Sequence, residues 1–293
     1  MIIGNPLSYR GYTLTWQGKR LQSLSGNSTT ASYTYDEQGV RSSKTVNNVT
    51  TTFSYNGSLL MAQVQGSGAS QVKQLYSYDA NGQLVSVNYN GTEYYYLRNG
   101  QTDIVGLMDG NGTKVVEYTY DAWGKLISTT GTLASTLGAD NPFRYRGYYY
   151  DAETGLYYLM TRYYAPEVCR FISADVYMTT GQGVLGGNMW AYCLNNPILY
   201  SDTFGESVTV CILGVTFTLV ELLVIGVAVA VVADILINGE DALVMKAAEG
   251  VAEAVETIVQ IWQVVETVVT HPFSIGSGIT IGSGISVVED KQN

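Results

Sequence analysis

The sequence predicts a mainly β protein that is followed by an α-helical, apolar C-terminal region. Three observations lead to this fold class. A motif of tyrosine, aspartate and glycine recurs along the first half, and the 293 residues include 24 Tyr and 32 Gly against 14% charged residues. After Gly205 the composition changes abruptly to long apolar runs. Aromatic residues in alternation with turn residues are typical of short strands, whereas sustained apolar periodicity is typical of helices.

The first segment, residues 1–130, is predicted to be a series of β-hairpins. The motif Tyr-x-Tyr-Asp-x-x-Gly starts at Tyr33, Tyr76 and Tyr118, and weaker copies start at Phe53 and Tyr94. Alternating tyrosines place their rings on one face of a strand, the aspartate accepts bonds from turn amides, and glycine adopts the positive φ that the turn requires. We therefore interpret the repeated Tyr-Asp pairs as structural positions; carbohydrate binding on exposed tyrosine faces is the alternative.

The second segment, residues 131–205, contains ordered blocks of tyrosine, glycine and turn residues. The blocks span residues 141–147, 149–158, 161–164, 170–175 and 192–202. Together they resemble the RHS repeat-associated core, the plug that ends the β-shell of RHS and YD-repeat toxins. The resemblance implies that the hairpins form part of such a shell, that residues 131–205 form its plug, and that residues 206–293 are the variable cargo. The hairpins are too few to close a large shell, so the sequence is expected to be a fragment or a displaced cassette.

Three residues of the core are candidates for catalysis: Arg162, Asp175 and Asp202. In RHS cores that cleave themselves, the resemblance implies that these residues form an aspartyl-protease-like site which cuts the chain just beyond the last block. Two carboxylates held close together can activate water for attack on a peptide carbonyl, and an arginine can fix a carboxylate or stabilise the oxyanion.

The cut-site sequence departs from the family pattern. Cleaving members end in Asp-Pro-x-Gly-Leu, whereas this chain has Thr203 in place of the proline and Glu206 in place of the leucine. The enzymatic prediction is therefore limited to an autoproteolytic core with a degraded cleavage motif. Under the alternative, Arg162 and Asp175 form a buried structural ion pair, and Asp202 is a turn acceptor.

The third segment, residues 206–293, begins with an apolar run from Val208 to Ala233 whose only charge is Glu221. Transfer energies favour its insertion as one membrane span, and a helix or strands buried in soluble protein are the alternative. An amphipathic helix is predicted over 240–270, because apolar residues from Val244 to Val269 alternate by four and three. A glycine-rich end follows.

Charge and composition exclude several other classes. The formal net charge is −10, the pI is near 4.5, and Lys plus Arg total only 15, which argues against a nucleic-acid partner. Three cysteines without a Cys-x-x-Cys pair and a single histidine, His271, predict neither a metal site nor a disulfide framework. No cofactor is expected. The first residues lack the profile of a signal peptide.

The sequence thus predicts the C-terminal portion of an RHS-family polymorphic toxin, with a carrier shell, a plug and a membrane-active tail. Its expected partners are the rest of the shell, formed by upstream repeats, an immunity protein, and a membrane through Val208 to Ala233. In its full-length context it is expected to be secreted or at the cell surface. The alternatives are a structural cell-surface YD-repeat protein with an anchoring or packing tail, and a self-cleaving precursor.

Overall fold

The structure, a computed structural model, describes residues 4–175, 188–202, 205, 209–212 and 215–218. The chain divides into two compact units, Met1–Thr218 and Leu219–Asn293, and every described residue belongs to the first. The predicted helix over 240–270, the glycine-rich end and most of Val208 to Ala233 therefore lie outside the described residues. Within the described residues, no helix is long and apolar enough to cross a membrane.

The repeats form one antiparallel sheet of thirteen strands that pair in chain order. The strands are β1 (Ser8–Tyr9), β2 (Tyr12–Gln17), β3 (Arg20–Gly26), β4 (Thr29–Tyr35), β5 (Arg41–Val46), β6 (Val49–Asn56), β7 (Leu59–Gln65), β8 (Val72–Tyr78), β9 (Leu84–Tyr89), β10 (Thr92–Arg98), β11 (Ile104–Met108), β12 (Lys114–Tyr120) and β13 (Leu126–Thr130). A short 3-10 helix, Gly68–Ser70, separates β7 from β8. The predicted mainly β class is confirmed.

The tyrosines of the three strong repeats occupy equivalent positions. The first tyrosine of each motif is buried, with an exposed fraction of 2–3% at Tyr33, Tyr76 and Tyr118. The second donates its hydroxyl to a carbonyl of the neighbouring strand at 2.7 Å. These bonds run from Tyr35 to Leu21, from Tyr78 to Leu60 and from Tyr120 to Ile104. Each strong repeat therefore contains the same hydrogen bond between neighbouring strands.

The turn chemistry predicted for the motif is also present. In the third repeat, Asp121 Oδ1 accepts the N–H of Trp123 at 2.8 Å and that of Lys125 at 2.9 Å, and Gly124 adopts a φ of +83°. Asp36 and Asp79 accept turn amides in the same manner. Gly124 has a second role, because a Cβ at this position would overlap the ring of Tyr145 in the core. The interpretation of these aspartates as turn acceptors is confirmed.

The core segment packs against this sheet. It contains α1 (Leu137–Asp140), β14 (Tyr149–Asp151), β15 (Leu156–Leu159), β16 (Arg162–Ala165), β17 (Arg170–Phe171) and the 3-10 helices Tyr145–Gly147, Pro166–Val168 and Cys193–Asn195. Strands β14 to β17 form a four-stranded antiparallel sheet. One hydrophobic cluster joins buried residues of the repeats to Phe143, Tyr149 and Tyr163 of the core, and a second aromatic cluster includes Tyr164 stacked on Tyr192 at 3.9 Å between ring centroids.

A third small sheet crosses the predicted boundary at residue 205. It consists of β18 (Tyr200–Ser201), β19 (Thr209–Ile212) and β20 (Val215–Thr218). The α-helical prediction is wrong for Thr209–Ile212 and Val215–Thr218, which form paired antiparallel strands. Six of these eight residues are Val, Ile or Thr, whose branched Cβ favours extended backbone.

A buried ion network connects the repeat sheet to the core. Arg41 of β5 forms a bidentate pair with Asp151 of β14, at 2.7 and 3.1 Å, and Lys44 contacts Asp151 at 2.9 Å and Glu153 at 3.0 Å. The Arg41 side chain is enclosed by four rings whose centroids lie 4.3–5.4 Å from its Cζ; they belong to Tyr33, Phe53, Tyr149 and Tyr158. Sequence analysis did not identify this network.

The charges in the network depend on one another. Burial alone would raise the pKa of the Asp151 carboxyl, but Arg41 and Lys44 outweigh burial and hold that pKa below its ordinary value of 3.8. Burial opposes the charge of Lys44 as well, yet Asp151 raises the pKa of Lys44 above its ordinary value of 10.5. For Glu153, burial and the neighbouring Asp151 raise the pKa. Asp151 therefore stabilises the fold at any pH above 3.8, and that contribution is lost as the pH falls through its lowered pKa.

We expect Asp151→Asn to destabilise the protein by about 3–5 kcal/mol at pH 7, because it leaves two buried cations without their shared carboxylate. Below pH 3.8 the variant should lose stability less steeply than the wild type, since it lacks the group whose protonation breaks the network. Denaturant unfolding at a series of pH values measures both effects. Asp36→Asn, at an exposed turn, is the matched control; equal losses in the two variants would contradict the prediction.

Candidate self-cleavage site

The structure brings the three predicted site residues together. Arg162 lies at the start of β16, Asp175 lies four residues after β17, and Asp202 directly follows β18. The Arg162 Nη2 atom is 2.9 Å from Asp175 Oδ2 and 3.1 Å from Asp202 Oδ2. Because both oxygens contact the same nitrogen, they lie at most about 6 Å apart.

Arg162 also binds two backbone carbonyls. Its Nε donates to the Gly205 carbonyl oxygen, and its Nη1 donates to that of Met189 at 3.3 Å. The guanidinium carbon lies 3.6 Å from the centroid of the Phe171 ring, which covers one face of the cation. Arg162 and Asp202 are buried, with exposed fractions of 3% and 2%, whereas the Asp175 side chain is 16% exposed. The arginine is thus the centre of the site.

This geometry differs from a pair of carboxylates that share one proton. Here a cation lies between two anions, and a guanidinium in that position stabilises the ionised form of a carboxylate. The same cation holds the Gly205 carbonyl, which belongs to the peptide bond between Gly205 and Glu206. The site can therefore polarise one particular carbonyl while it keeps two carboxylates close to it.

Gly205 is required at this position for steric reasons. Its φ is +75°, and a Cβ there would lie 2.8 Å from Thr161 Oγ1 and 3.0 Å from the Leu159 carbonyl oxygen. A side chain would therefore be strained in its backbone conformation and would also overlap the turn before β16. The retained glycine of the degraded cut sequence keeps the carbonyl against Arg162.

Two further residues support the site and were missed by sequence analysis. Lys19, in the turn between β2 and β3, donates from Nζ to the Ala174 carbonyl at 3.1 Å, next to Asp175. Burial lowers the pKa of Lys19, although the charge of Asp175 acts in the opposite direction. The Asp202 N–H donates to the Tyr148 hydroxyl at 3.0 Å. No local pattern identifies Lys19, because the contact joins residues more than 150 positions apart.

The described residues contain no group of three or more metal-ligating side chains. Among them, Cys169 and Cys193 are free thiols, and burial raises the pKa of Cys193. Nothing in this part of the chain therefore points to a cofactor beside Arg162, and the predictions of no metal and no cofactor stay predictions.

Comparisons with known proteins define the class of this architecture. The family model described as Teneurin YD-shell matches residues 67–183. The tRNA3(Ser)-specific nuclease WapA of Bacillus spizizenii is 38% identical over 207 residues, which is 69% of this chain and 9% of that protein. Toxin protein Tse5 of Pseudomonas aeruginosa is 41% identical over 73 residues, or 25% of this chain and 5% of its own length. The chain thus spans only about a tenth or less of these two relatives.

A solved structure agrees in fold. The crystal structure of TcdB2-TccC3 superposes with a TM-score of 0.56 at 23% identity, over 67% of this chain and 10% of that chain. The meandering sheet packed on a tyrosine-rich core is therefore a segment of a YD-repeat β-shell. The chain belongs to the RHS and YD-repeat family.

We expect Arg162→Met to destabilise the protein by about 3–5 kcal/mol, because it leaves the buried Asp202 carboxylate without its cation. Urea unfolding measures the loss. Arg170→Met is the control for an exposed arginine of the same core and should change stability by no more than about 0.5 kcal/mol. Adding Asp175→Asn and Asp202→Asn to Arg162→Met should recover part of the loss, since no charge is then left unpaired. If the triple variant were less stable than Arg162→Met, the uncompensated carboxylate charge could not be the cause of the destabilisation.

Proposed function

We propose that this chain is the C-terminal portion of an RHS-family polymorphic toxin, in which a shell segment and plug carry a C-terminal effector. One observation supports this most strongly. Two proteins named for different activities each match part of this chain: the tRNA nuclease WapA, and the double-stranded DNA deaminase toxin A of Burkholderia cenocepacia, which is 37% identical over 86 residues. Toxin protein Tse5 matches part of it as well. Similarity to proteins with different activities favours a role in carrying an effector over a role as the effector. None of those activities is transferred to this chain.

The sheet edges support upstream repeats as the partner. Within the described residues, β1 pairs only with β2, and β13 pairs only with β12. An edge strand presents unpaired N–H and C=O groups that can pair with another strand. Further shell strands on these edges would satisfy them. In such a full-length context the protein is secreted or displayed at the cell surface, and an immunity protein is the expected partner of its effector.

We further propose that Arg162, Asp175 and Asp202 form a self-cleavage site of low efficiency. In this mechanism one carboxylate takes a proton from water as the water attacks the carbonyl held by Arg162, and the guanidinium stabilises the developing oxyanion. The carboxylic acid so formed then donates that proton to the Glu206 nitrogen as the bond between Gly205 and Glu206 breaks, which leaves a carboxylate on Gly205 and an amine on Glu206. The contact from Nε to the Gly205 carbonyl favours the bond between Gly205 and Glu206, one position before the cut after Glu206 that the family pattern suggests. The missing proline and leucine at 203 and 206 account for the low efficiency.

We expect the purified chain to remain mostly intact, and Thr203→Pro with Glu206→Leu to increase cutting. The proline restricts the backbone after Asp202, and the leucine restores the apolar residue of cleaving members. Intact-mass measurement reports the cut fraction, and the fragment masses distinguish cleavage before residue 206 from cleavage after it.

Asp175→Asn added to the same double variant removes one carboxylate and should abolish cutting. Asp36→Asn in that background is the matched control and should leave cutting unchanged. Cutting that survives Asp175→Asn would show that another group, or a contaminating protease, is responsible.

The tail is the candidate effector, and strands β19 and β20 limit the length of apolar chain that is available for a membrane-spanning helix. Because these strands belong to a sheet, the apolar run that remains, 219–233, is about 15 residues long, whereas a spanning helix needs about 20. Full insertion of Val208 to Ala233 would first require the hairpin to leave the sheet. Nuclease chemistry is not proposed, because residues 206–293 contain one histidine and, besides it, only Lys246 and Lys291 as cations.

We expect the tail from Glu206, expressed alone in bacteria, to slow growth and to sediment with membranes, while the full chain does so less. Arginine at both Val224 and Val229 should abolish these effects, since two charges add about 5–7 kcal/mol to insertion. A variant with arginine in place of Gln260 and Gln263 adds the same two charges outside the apolar run and is the control for net charge. A tail that is harmless in every form would contradict the effector proposal. Toxicity that persists with arginine at 224 and 229 would contradict action on the membrane but not the effector proposal.

A further inference from the structure

The hairpin β19–β20 lies on the C-terminal side of the candidate cut but shares a three-stranded sheet with β18, which lies on the N-terminal side. Tyr200 pairs with Val210, and Ser201 pairs with Thr209, so that β18 and β19 are antiparallel neighbours. Four further pairs join β19 to β20, from Thr209 with Thr218 to Ile212 with Val215. The compact unit that contains the core accordingly ends at Thr218 and not at Gly205.

We propose that β19–β20 is a non-covalent tether that keeps the tail bound to the core after the chain has been cut between Gly205 and Thr209. The biological use of such a tether rests on the self-cleavage proposed above, whereas the pairing of β18 with β19 is independent of cleavage. Cleavage in this mechanism removes the covalent link and leaves the strand pairing in place. Release of the tail then requires a second step, in which the hairpin separates from β18.

The acceptor strand is fixed by contacts that do not involve the tail. Tyr200 N–H donates to the Asn196 carbonyl at 3.1 Å, and Asp202 N–H donates to the Tyr148 hydroxyl at 3.0 Å. Ser201 and Asp202 are 4% and 2% exposed. Arg162 holds Asp202 from the other side. These contacts hold β18 to the core independently of its pairing with β19.

The hairpin, in contrast, depends on β18. An isolated two-stranded hairpin is marginal in water, and a third strand is needed for stability. Strand β19 is the central strand of the three, so its backbone groups are shared between β18 and β20. Because only two residue pairs join β18 to β19, the tether is expected to be reversible, with the hairpin and the rest of the tail leaving as one unit.

The test uses the full chain with a site for a specific exogenous protease in place of residues 206–208, flanked by short Gly/Ser linkers that keep it accessible. Complete cutting is verified on a denaturing gel, and size-exclusion chromatography then shows whether the tail co-elutes with the core. Because the added protease makes the cut, the result does not depend on self-cleavage, which intact mass before digestion tests separately. We expect co-elution.

Val210→Pro is the decisive variant, because proline in a central strand removes a ladder N–H and is excluded sterically. It should reduce the co-eluting fraction from nearly all of the tail to nearly none. Val220→Pro, beyond β20, is the matched control and should leave co-elution unchanged. Hydrogen exchange on the uncut variants should show faster exchange in 209–218 for Val210→Pro. Unchanged protection in β2 to β12 and in β14 to β16 would confirm that the repeat sheet and the core are folded.

The other outcomes overturn the proposal. Release of the tail from the cut chain without any substitution would show that the pairing is too weak to hold it. Retention in both proline variants would show that the tail is held elsewhere. Release in both would show that the hairpin has no special role.

Discussion

The structure depends on burial of the tyrosine face of the repeat sheet by the core. A meander of short hairpins exposes one aromatic face along its whole length, and no single hairpin can cover its own. In this chain the core segment supplies the missing surface, and residues from β2 to β12 join Phe143, Tyr149 and Tyr163 in one cluster. Arg41 is buried together with its partner Asp151 on the core strand β14, so the ionic contact and the hydrophobic contact fix the same register between the repeat sheet and the core.

Tyrosine is suited to this interface because its hydroxyl can be satisfied within a sheet. In the strong repeats the second tyrosine donates to a carbonyl of the neighbouring strand, so its ring is half buried without an unpaired polar group. Burial raises the pKa of the first tyrosines, Tyr33, Tyr76 and Tyr118, and they remain neutral at physiological pH. A leucine-rich face would lack these directional bonds, which keep each hairpin in register with the next.

The local features were predictable from the sequence, and the long-range ones were not. The repeat predicted the strands and turns because each motif carries its own Asp and Gly, and family resemblance identified Arg162, Asp175 and Asp202, which the structure brings together. Lys19, Tyr148 and the four-ring enclosure of Arg41 join distant residues that share no local pattern. The helical prediction is wrong at 209–212 and 215–218 because a short apolar run does not distinguish a strand from a buried helix, and in these residues the β-branched side chains favour the strand.

The structural and catalytic interpretations of the Arg162 site do not exclude each other. The cation that neutralises the buried Asp202 is also the donor to the Gly205 carbonyl, so the contact that holds Gly205 against the core also places its peptide bond close to two carboxylates. Arg162 would be needed even without self-cleavage, because the buried Asp202 carboxylate would otherwise lose the counter-charge that Arg162 supplies. Loss of the proline and leucine around Gly205 is therefore compatible with retention of all three charged residues. The three charged residues alone therefore do not distinguish a working cleavage site from a retained structural contact.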